Sequence, residues 1–328
     1  MVIHTQTGKI TENIYHIDIG QFGIHRVTSS FCYWDGEVCV LMDVGTTDEV
    51  YHLLKFLRKN DIPYSKVVGI ITTHYHFDHG GGSTKLWRKM VKKKNPDFKI
   101  YVPQDTHDML QDAEEHLIGA RTTFGDFIGN MKPAPQEAYR IIKKDKTLPI
   151  DLSNGYSIKS LATPGHCNDH CCPTIYKDNK PYFCYAGEAA GTLFHGSKLV
   201  SLPTSMPPHF NWRSYMNSLK KIKNLDPEVL GFCHFGAIVD HKKQETRQFL
   251  GEHEQYMHKF RQKIIDLYKE KPSTRYIIEH MPEELWEERV DPIFHDAEPA
   301  IRFFKNLQLA LVYGMMIDLG YRKPKYEK

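Results

Sequence analysis

An apolar run, Val67-Val68-Gly69-Ile70-Ile71-Thr72-Thr73, leads without a break into His74-Tyr75-His76-Phe77-Asp78-His79 and then Gly80-Gly81-Gly82. The run reads as a buried strand, because β-branched residues dominate it and glycines close it. Strand ends open into loops, where a scaffold places its chemistry. Alternate side chains of an extended segment share a face, so His74, His76 and Asp78 align while His79 points elsewhere. Imidazole and carboxylate are the donors zinc prefers, and this arrangement can serve two neighbouring ions. No Gly-Lys-Ser/Thr follows the glycines, which excludes a phosphate-cradling loop. They read instead as a tight turn into a helix capped by Ser83 and running to about residue 94.

Working outward, Ile14-Tyr15-His16-Ile17-Asp18-Ile19 alternates like a strand. Asp35-Gly36 sits between two β-rich runs, residues 30–34 and 37–42, which predicts a hairpin. Val50, Leu53, Leu54 and Leu57 share one face of a helix over residues 48–60. A strand over residues 99–102 and one long helical stretch over about 104–130 follow. Strand-like pieces come near 156–163, 172–177 and 182–187. A helix over 211–224 ends before Asp226-Pro227, and residues 229–234 form an apolar strand ending in His234. From about residue 241 helical patterns dominate, with a tail at residues 321–328. The chain thus divides into a sheet-and-helix unit, residues 1–240, and a helical extension, residues 241–328, built as layers of sheet covered by helices.

Composition bounds the function. The 328 residues carry 43 Lys+Arg against 40 Asp+Glu, a net charge of +3. With 41% apolar and 25% charged residues, neither a disordered chain nor a fibre is expected. The small net charge argues against an obligate nucleic-acid binder. The N-terminus has no basic stretch before an apolar core, so no signal peptide is read there. The longest apolar run, residues 307–317, is interrupted by Gln308 and falls short of the ~20 residues that span a bilayer. Seven cysteines, an odd number without a secretion signal, read as reduced thiols in a cytoplasmic protein. Nineteen histidines raise the question of which few do chemistry.

His74-x-His76-x-Asp78-His79-Gly80 resembles the signature of the metallo-β-lactamase-fold hydrolases, and further stations of that family follow in order. Leu41-Met42-Asp43-Val44-Gly45 resembles the acidic turn before the first helix. Thr163-Pro164-Gly165-His166 resembles the turn with the third histidine. Tyr185-Ala186-Gly187-Glu188 stands where the family has Gly-Asp, and Gly231-Phe232-Cys233-His234 resembles the strand with the last histidine. The resemblance covers residues 10–240 and implies an αββα sandwich with metals at one edge of its two sheets. The branch holding glyoxalase II, lactonases and thioesterases, with a helical C-terminal extension, is the nearest pattern.

The resemblance implies that His74, His76 and His166 hold one divalent ion, and that Asp78, His79 and His234 hold a second. Zinc is the first choice of metal, iron or manganese the alternatives. Glu188 would bridge them. It is one methylene longer than the family's aspartate, so it can bridge only if the backbone recedes. Asp43 would orient the ligand histidines. His170, in Gly165-His166-Cys167-Asn168-Asp169-His170, is expected to be structural. Cys167, Cys171, Cys172, Cys184 and Cys233 cluster around the same stations and read as small buried hydrophobes rather than ligands. His209 is a candidate for the substrate mouth. His4, His25, His52, His107, His116, His195, His241, His253, His258, His280 and His295 lack ligand spacing and read as surface or packing residues.

The implied activity is hydrolysis by a metal-bound hydroxide that cleaves a thioester, lactone or ester, with Asp78 orienting the water and shuttling its proton. Residues 104–135, with Phe124, Phe127, Ile128 and Met131, and the extension, with Ile301, Phe304, Leu307 and Leu311, are expected to shape an apolar pocket for a small molecule. The extension's apolar face also suits core packing or a homodimer. Three rival readings stand beside this one. A nuclease could use the basic run Arg88, Lys89, Lys92, Lys93 and Lys94. A diiron redox protein would carry glutamate where this chain has His76, and a flavin domain. A sensor without turnover is favoured by Glu188 alone. No membrane partner is expected.

Overall fold

The computed structural model describes residues 3–296 and 298–324. Met1, Val2 and the last four residues of the expected tail lie outside the described residues. The chain runs β1 (Ile3–His4), β2 (Gly8–Lys9), β3 (Ile14–Asp18), β4 (Ser29–Trp34), β5 (Cys39–Met42), α1 (Val50–Lys59), β6 (Val67–Ile71), α2 (Ser83–Lys92) and β7 (Lys99–Val102). It continues through α3 (Gln104–Gln111), α4 (Glu114–Phe124), β8 (Tyr139–Ile141), β9 (Tyr156–Ala162), β10 (Cys171–Lys177), β11 (Lys180–Tyr185) and α5 (Trp212–Leu225). β12 (Val229–Gly231), β13 (Ala237–Val239), α6 (Gln244–Glu270), α7 (Thr274–Glu279) and α8 (Ala300–Asp318) complete it.

Two sheets form. One has the order β2-β3-β4-β5-β6-β7-β8, the other β1-β13-β12-β11-β10-β9. In the first sheet β5 to β8 run parallel, and the β4–β5 hairpin turns at the expected Asp35-Gly36. Period-2 alternation explains how this sheet buries both faces. Phe31, Tyr33, Val40, Met42 and Ile71 point inward against Ile158, Ile175, Phe183 and Tyr185 of the second sheet. Cys32, Cys39, Leu41, Val67 and Ile70 point outward beneath Leu53 and Leu57 of α1 and Leu86 and Met90 of α2. Leu219 and Ile222 of α5, with Phe249 and Leu250 of α6, cover the second sheet. The result is an αββα sandwich with a helical C-terminal part.

Beyond residue 240, α6 to α8 pack on one another and on α5 through Tyr215, Met257, Phe260, Ile277, Val312, Met315 and Met316. Phe304, Leu307 and Leu311 of α8 join Phe194, Leu202 and Phe294 in a neighbouring cluster, so the extension's apolar face serves intrachain packing. No described helix is long and apolar enough to cross a membrane. All seven cysteines are free and buried.

Two local expectations are corrected. Residues 104–130 are not one helix: α3 ends at Asp112, whose φ of −133° and ψ of 82° leave the helical region, and α4 restarts at Glu114. Ser83 is the first helical residue rather than the cap, a place taken by Gly82 with no side-chain bond. Packing fixes those glycines: a Cβ on Gly81 would lie 2.1 Å from the Phe77 carbonyl oxygen, and one on Gly82 2.5 Å from that of Thr46. The turn can therefore pass close to both loops only without side chains.

Candidate metal centre

β6 ends at Ile71 and delivers the loop of residues 74–79 to the edge shared by the two sheets. Asp43, fully buried after β5, anchors that loop. It accepts the Thr73 N–H at 2.7 Å and the Thr73 hydroxyl at 2.8 Å. It also accepts the Tyr185 hydroxyl at 2.9 Å, and it lies 3.2 Å from His79 Nδ1. One buried carboxylate thus ties both sheets to the loop.

The expected donors converge in two groups. His74, His76 and His166 form the first, with His166 Nε2 and His76 Nδ1 3.1 Å apart and ring centroids 4.4–5.0 Å apart. His79, Glu188 and His234 form the second. Asp78 Oδ2 stands 3.5 Å from Nε2 of both His79 and His234. Glu188 lies between the groups. Its Oε2 is 2.7 Å from His166 Nε2, 3.3 Å from His74 Nε2 and 3.7 Å from His79 Nε2, and its Oε1 is 3.9 Å from His234 Nε2. The longer side chain therefore reaches the space between the two donor groups.

That reach depends on the turn before it. Gly187 adopts φ +54°, and a Cβ there would meet His170 Nε2 at 2.5 Å. His170 is held through Nδ1 by the Thr163 hydroxyl at 2.8 Å, and its Nε2 accepts the Glu188 N–H at 3.1 Å. It holds the backbone that carries Glu188.

Outward-facing nitrogens fix the ligand rings. His166 Nδ1 bonds the Thr204 carbonyl at 2.7 Å and His234 Nδ1 the Val27 carbonyl at 2.8 Å. A carbonyl only accepts, so each ring carries its proton on Nδ1 and turns the Nε2 lone pair inward. His74 Nδ1 meets the Thr73 hydroxyl at 2.9 Å. Inside, His74 Nε2, His79 Nε2 and Glu188 Oε2 are buried without a hydrogen-bond partner. Such orphaned atoms cost about 1–3 kcal/mol each unless something satisfies them. Imidazole and carboxylate donors converging at one spot fit a divalent cation of the zinc kind.

The donors are strongly coupled to one another. Burial pushes the Glu188 carboxyl up, but His166, His74 and His79 more than reverse this and hold it well below its usual range. Asp78 is likewise held down by His79 and His234 against its burial. Burial opposes a charged His79, yet Asp78, Asp43 and Glu188 raise it to about 9. Burial and neighbouring histidines lower His74 and His76. Cys167 and Cys233 have sulfur atoms near the two groups. Both sit in apolar clusters, and burial pushes both thiols well above their usual range, which suits packing residues.

His76, Asp78, Glu188 and His234 face a cavity of about 900 Å³. Its walls are Phe22, Tyr75, Phe77, Phe124, Phe194, Phe303, Leu307 and Leu311, and His209 lies on it as expected. Ile128 and Met131, expected in the walls, are buried in the core beneath α1 and α2. Phe304 also packs inward, and the neighbouring Phe303 lines the cavity. Sequence reasoning missed Phe22, Phe194 and Phe303, for which no local pattern signals a wall. His116, read as a surface or packing residue, packs: its ring lies on that of His76 and borders the cavity.

Comparison with known proteins agrees with this geometry. The chain is 27% identical over 246 residues to a metallo-beta-lactamase fold-containing protein of the archaeon Sulfurisphaera tokodaii, covering 74% of this chain and 85% of that one. It is 22% identical to an atrochrysone carboxyl ACP thioesterase of Aspergillus fumigatus, over 78% of this chain and 66% of the other. A second protein of that name, from Passalora fulva, is 23% identical over 53% of this chain and 38% of its own length. Among solved structures, a metallo-beta-lactamase family protein of Thermus thermophilus superposes with a TM-score of 0.63 at 16% identity, covering 95% of this chain and 94% of that one. The family model of the metallo-beta-lactamase superfamily matches residues 24–234, from the loop before β4 to the last ligand candidate, and the chain belongs to that superfamily.

Proposed function

We propose that the protein is a metal-dependent hydrolase that cleaves a thioester, lactone or ester with an apolar arm. The observation that carries this reading is that both donor groups open onto the floor of one aromatic-walled cavity. His74, His76 and His166 would hold one divalent ion, and Asp78, His79 and His234 a second, with Glu188 between them. When bound, such ions would lower the pKa of a water toward about 7 and polarise a carbonyl. The chain's own residues do the rest. Asp78, kept ionised by His79 and His234, accepts a hydrogen bond from a water on the floor and can take its proton. Water oxygen bonds to the carbonyl carbon, the C–S or C–O bond breaks, and the proton passes to the departing thiolate or alkoxide. The walls exclude bulk water and hold the apolar arm, and about 900 Å³ is near the upper end of pockets that bury a drug-sized ligand.

The thioesterase names of the two fungal relatives support a carbonyl substrate. The lining supports it too: among the described residues it includes no lysine or arginine, and Asp108, Asp112 and Glu115 stand on its exposed rim. A phosphodiester would meet like charge there. The basic run of residues 88–94 belongs to α2 and its C-terminal turn, outside the lining. The test is a substrate panel on metal-loaded protein. Thioester, lactone or ester cleavage, abolished by chelation and by His76→Ala, is expected. Absence of turnover across all three classes would overturn the assignment.

A further inference from the structure

Among the site histidines, His76 is held differently from the rest. His74, His166 and His234 each anchor the nitrogen that faces away from the site on a protein oxygen, and His79 has Asp43 behind it. His76 has no such bond among the described residues. Instead its ring is stacked face to face with His116 of α4, centroids 4.8 Å apart and planes 3° apart. His116 Nε2 also accepts the Phe77 N–H at 3.0 Å, and its ring stands edge-on to Tyr75 at 4.8 Å. One side chain from the helical insert therefore touches three consecutive residues of the ligand loop, immediately before Asp78.

We propose that His116 is a positioning residue of the metal centre, tying α4 to the 75–77 segment and thereby fixing the His76 ring and the approach to Asp78. An Nε2 that accepts a backbone N–H cannot carry a proton, so the neutral ring keeps its proton on Nδ1. That tautomer gives the loop amide a partner and leaves a flat ring against which His76 cannot swing. Stacking thus replaces the hydrogen bond that normally orients a ligand imidazole. The placement has a consequence for the cavity. α4 buries only Ala120 deeply, and Gly119, Thr123 and Phe124 of the same helix line the cavity. A molecule filling the cavity presses on the helix that holds His76, so occupancy and metal geometry are coupled through one ring.

The inference rests on the metal centre, and not on hydrolysis, so the test reads metal binding directly. Apo protein is titrated with Zn²⁺ against a chromophoric chelator, and the visible spectrum of the Co²⁺-loaded protein is recorded. The wild-type chain is expected to take up two ions. His116→Ala is expected to bind one of them about 10–100-fold more weakly, the usual cost of losing an orienting partner, with a changed Co²⁺ spectrum. His116→Gln keeps an acceptor for Phe77 but no ring, and should fall between the two. Leu117→Ala, which loosens the same helix away from the site, should lower thermal stability and leave the Co²⁺ spectrum unchanged. Wild-type affinity and spectrum in His116→Ala would overturn the inference. If that variant does not fold, the same result in His116→Gln would do so. A wild-type chain that binds no metal would instead overturn the metal centre itself.

Discussion

The candidate metal centre at the floor of the cavity takes His74, His76, Asp78 and His79 from six consecutive residues after β6, of which His76 and Asp78 face the cavity, whereas the walls take Phe22, Phe124, Phe194 and Phe303 from four segments far apart in the chain. The two parts obey different physics. The floor is polar and buried, and several donors are held by specific partners, among them Thr204 for His166 and His170 for the Glu188 backbone. Removing a partner there leaves a buried group unsatisfied. The walls are apolar, so truncating one costs contact area and leaves a void in its cluster but strands no buried polar group. Chemistry should therefore fail abruptly when the floor is altered, and selectivity should drift when the walls are.

The largest effect is expected at the floor. His76→Ala should lower kcat/KM by about a thousandfold or more, on the order of 4 kcal/mol of transition-state stabilisation, together with loss of one ion. Steady-state kinetics and metal analysis check it. Next comes the support behind the floor. Asp43→Ala strands Thr73, Tyr185 and His79 at once and should cost about 3 kcal/mol of folding stability, read by denaturant titration. Unaltered stability would break the contrast between a strictly partnered floor and tolerant walls.

Away from the site, two other buried histidines should make the scaffold acid-sensitive. Burial, with His4 acting in the same direction, lowers His16 to about 4 against Gln6 and Asp18. It lowers His253 to about 3, beside Arg289 and bonded to Ser201 and Tyr215. Both titrate near 6.5 when unfolded, so below that pH the unfolded chain binds more protons and stability falls. Each contributes a slope of up to about 1.4 kcal/mol per pH unit between pH 6.5 and its folded value, and nothing above pH 6.5. Unfolding free energies at pH 7, 6 and 5 check this, and His253→Gln should flatten the slope.

The smallest effect belongs to the walls. Leu311→Ala should raise KM about tenfold for a substrate with a long apolar arm, the equivalent of about 1.4 kcal/mol of lost contact, while both ions stay bound. A change in metal content there would sharpen the comparison in the other direction, by showing that wall and floor are coupled beyond His116.

The same contrast explains what the sequence disclosed. The ligand loop, the Asp35-Gly36 hairpin and the order of the donor stations are local, because strand period and turn chemistry act over a few residues. Glu188 was legible as a candidate, but its reach depended on Gly187 and His170, which only the fold brings beneath it. The break at Asp112 carries no glycine or proline to announce it. His116 has no ligand spacing, since stacking acts across the chain rather than along it. Ile128 and Met131 have the composition of a wall, yet they face the core, because a short irregular segment has no period from which to assign a face.

The central claim is that Glu188 bridges two metal ions held by the two donor groups. Metal stoichiometry of the purified wild-type chain and of Glu188→Ala, by elemental analysis with native mass spectrometry, tests it most directly. The account predicts two divalent ions per wild-type chain and one in the variant. Two ions in both, or none in the wild type, would contradict it.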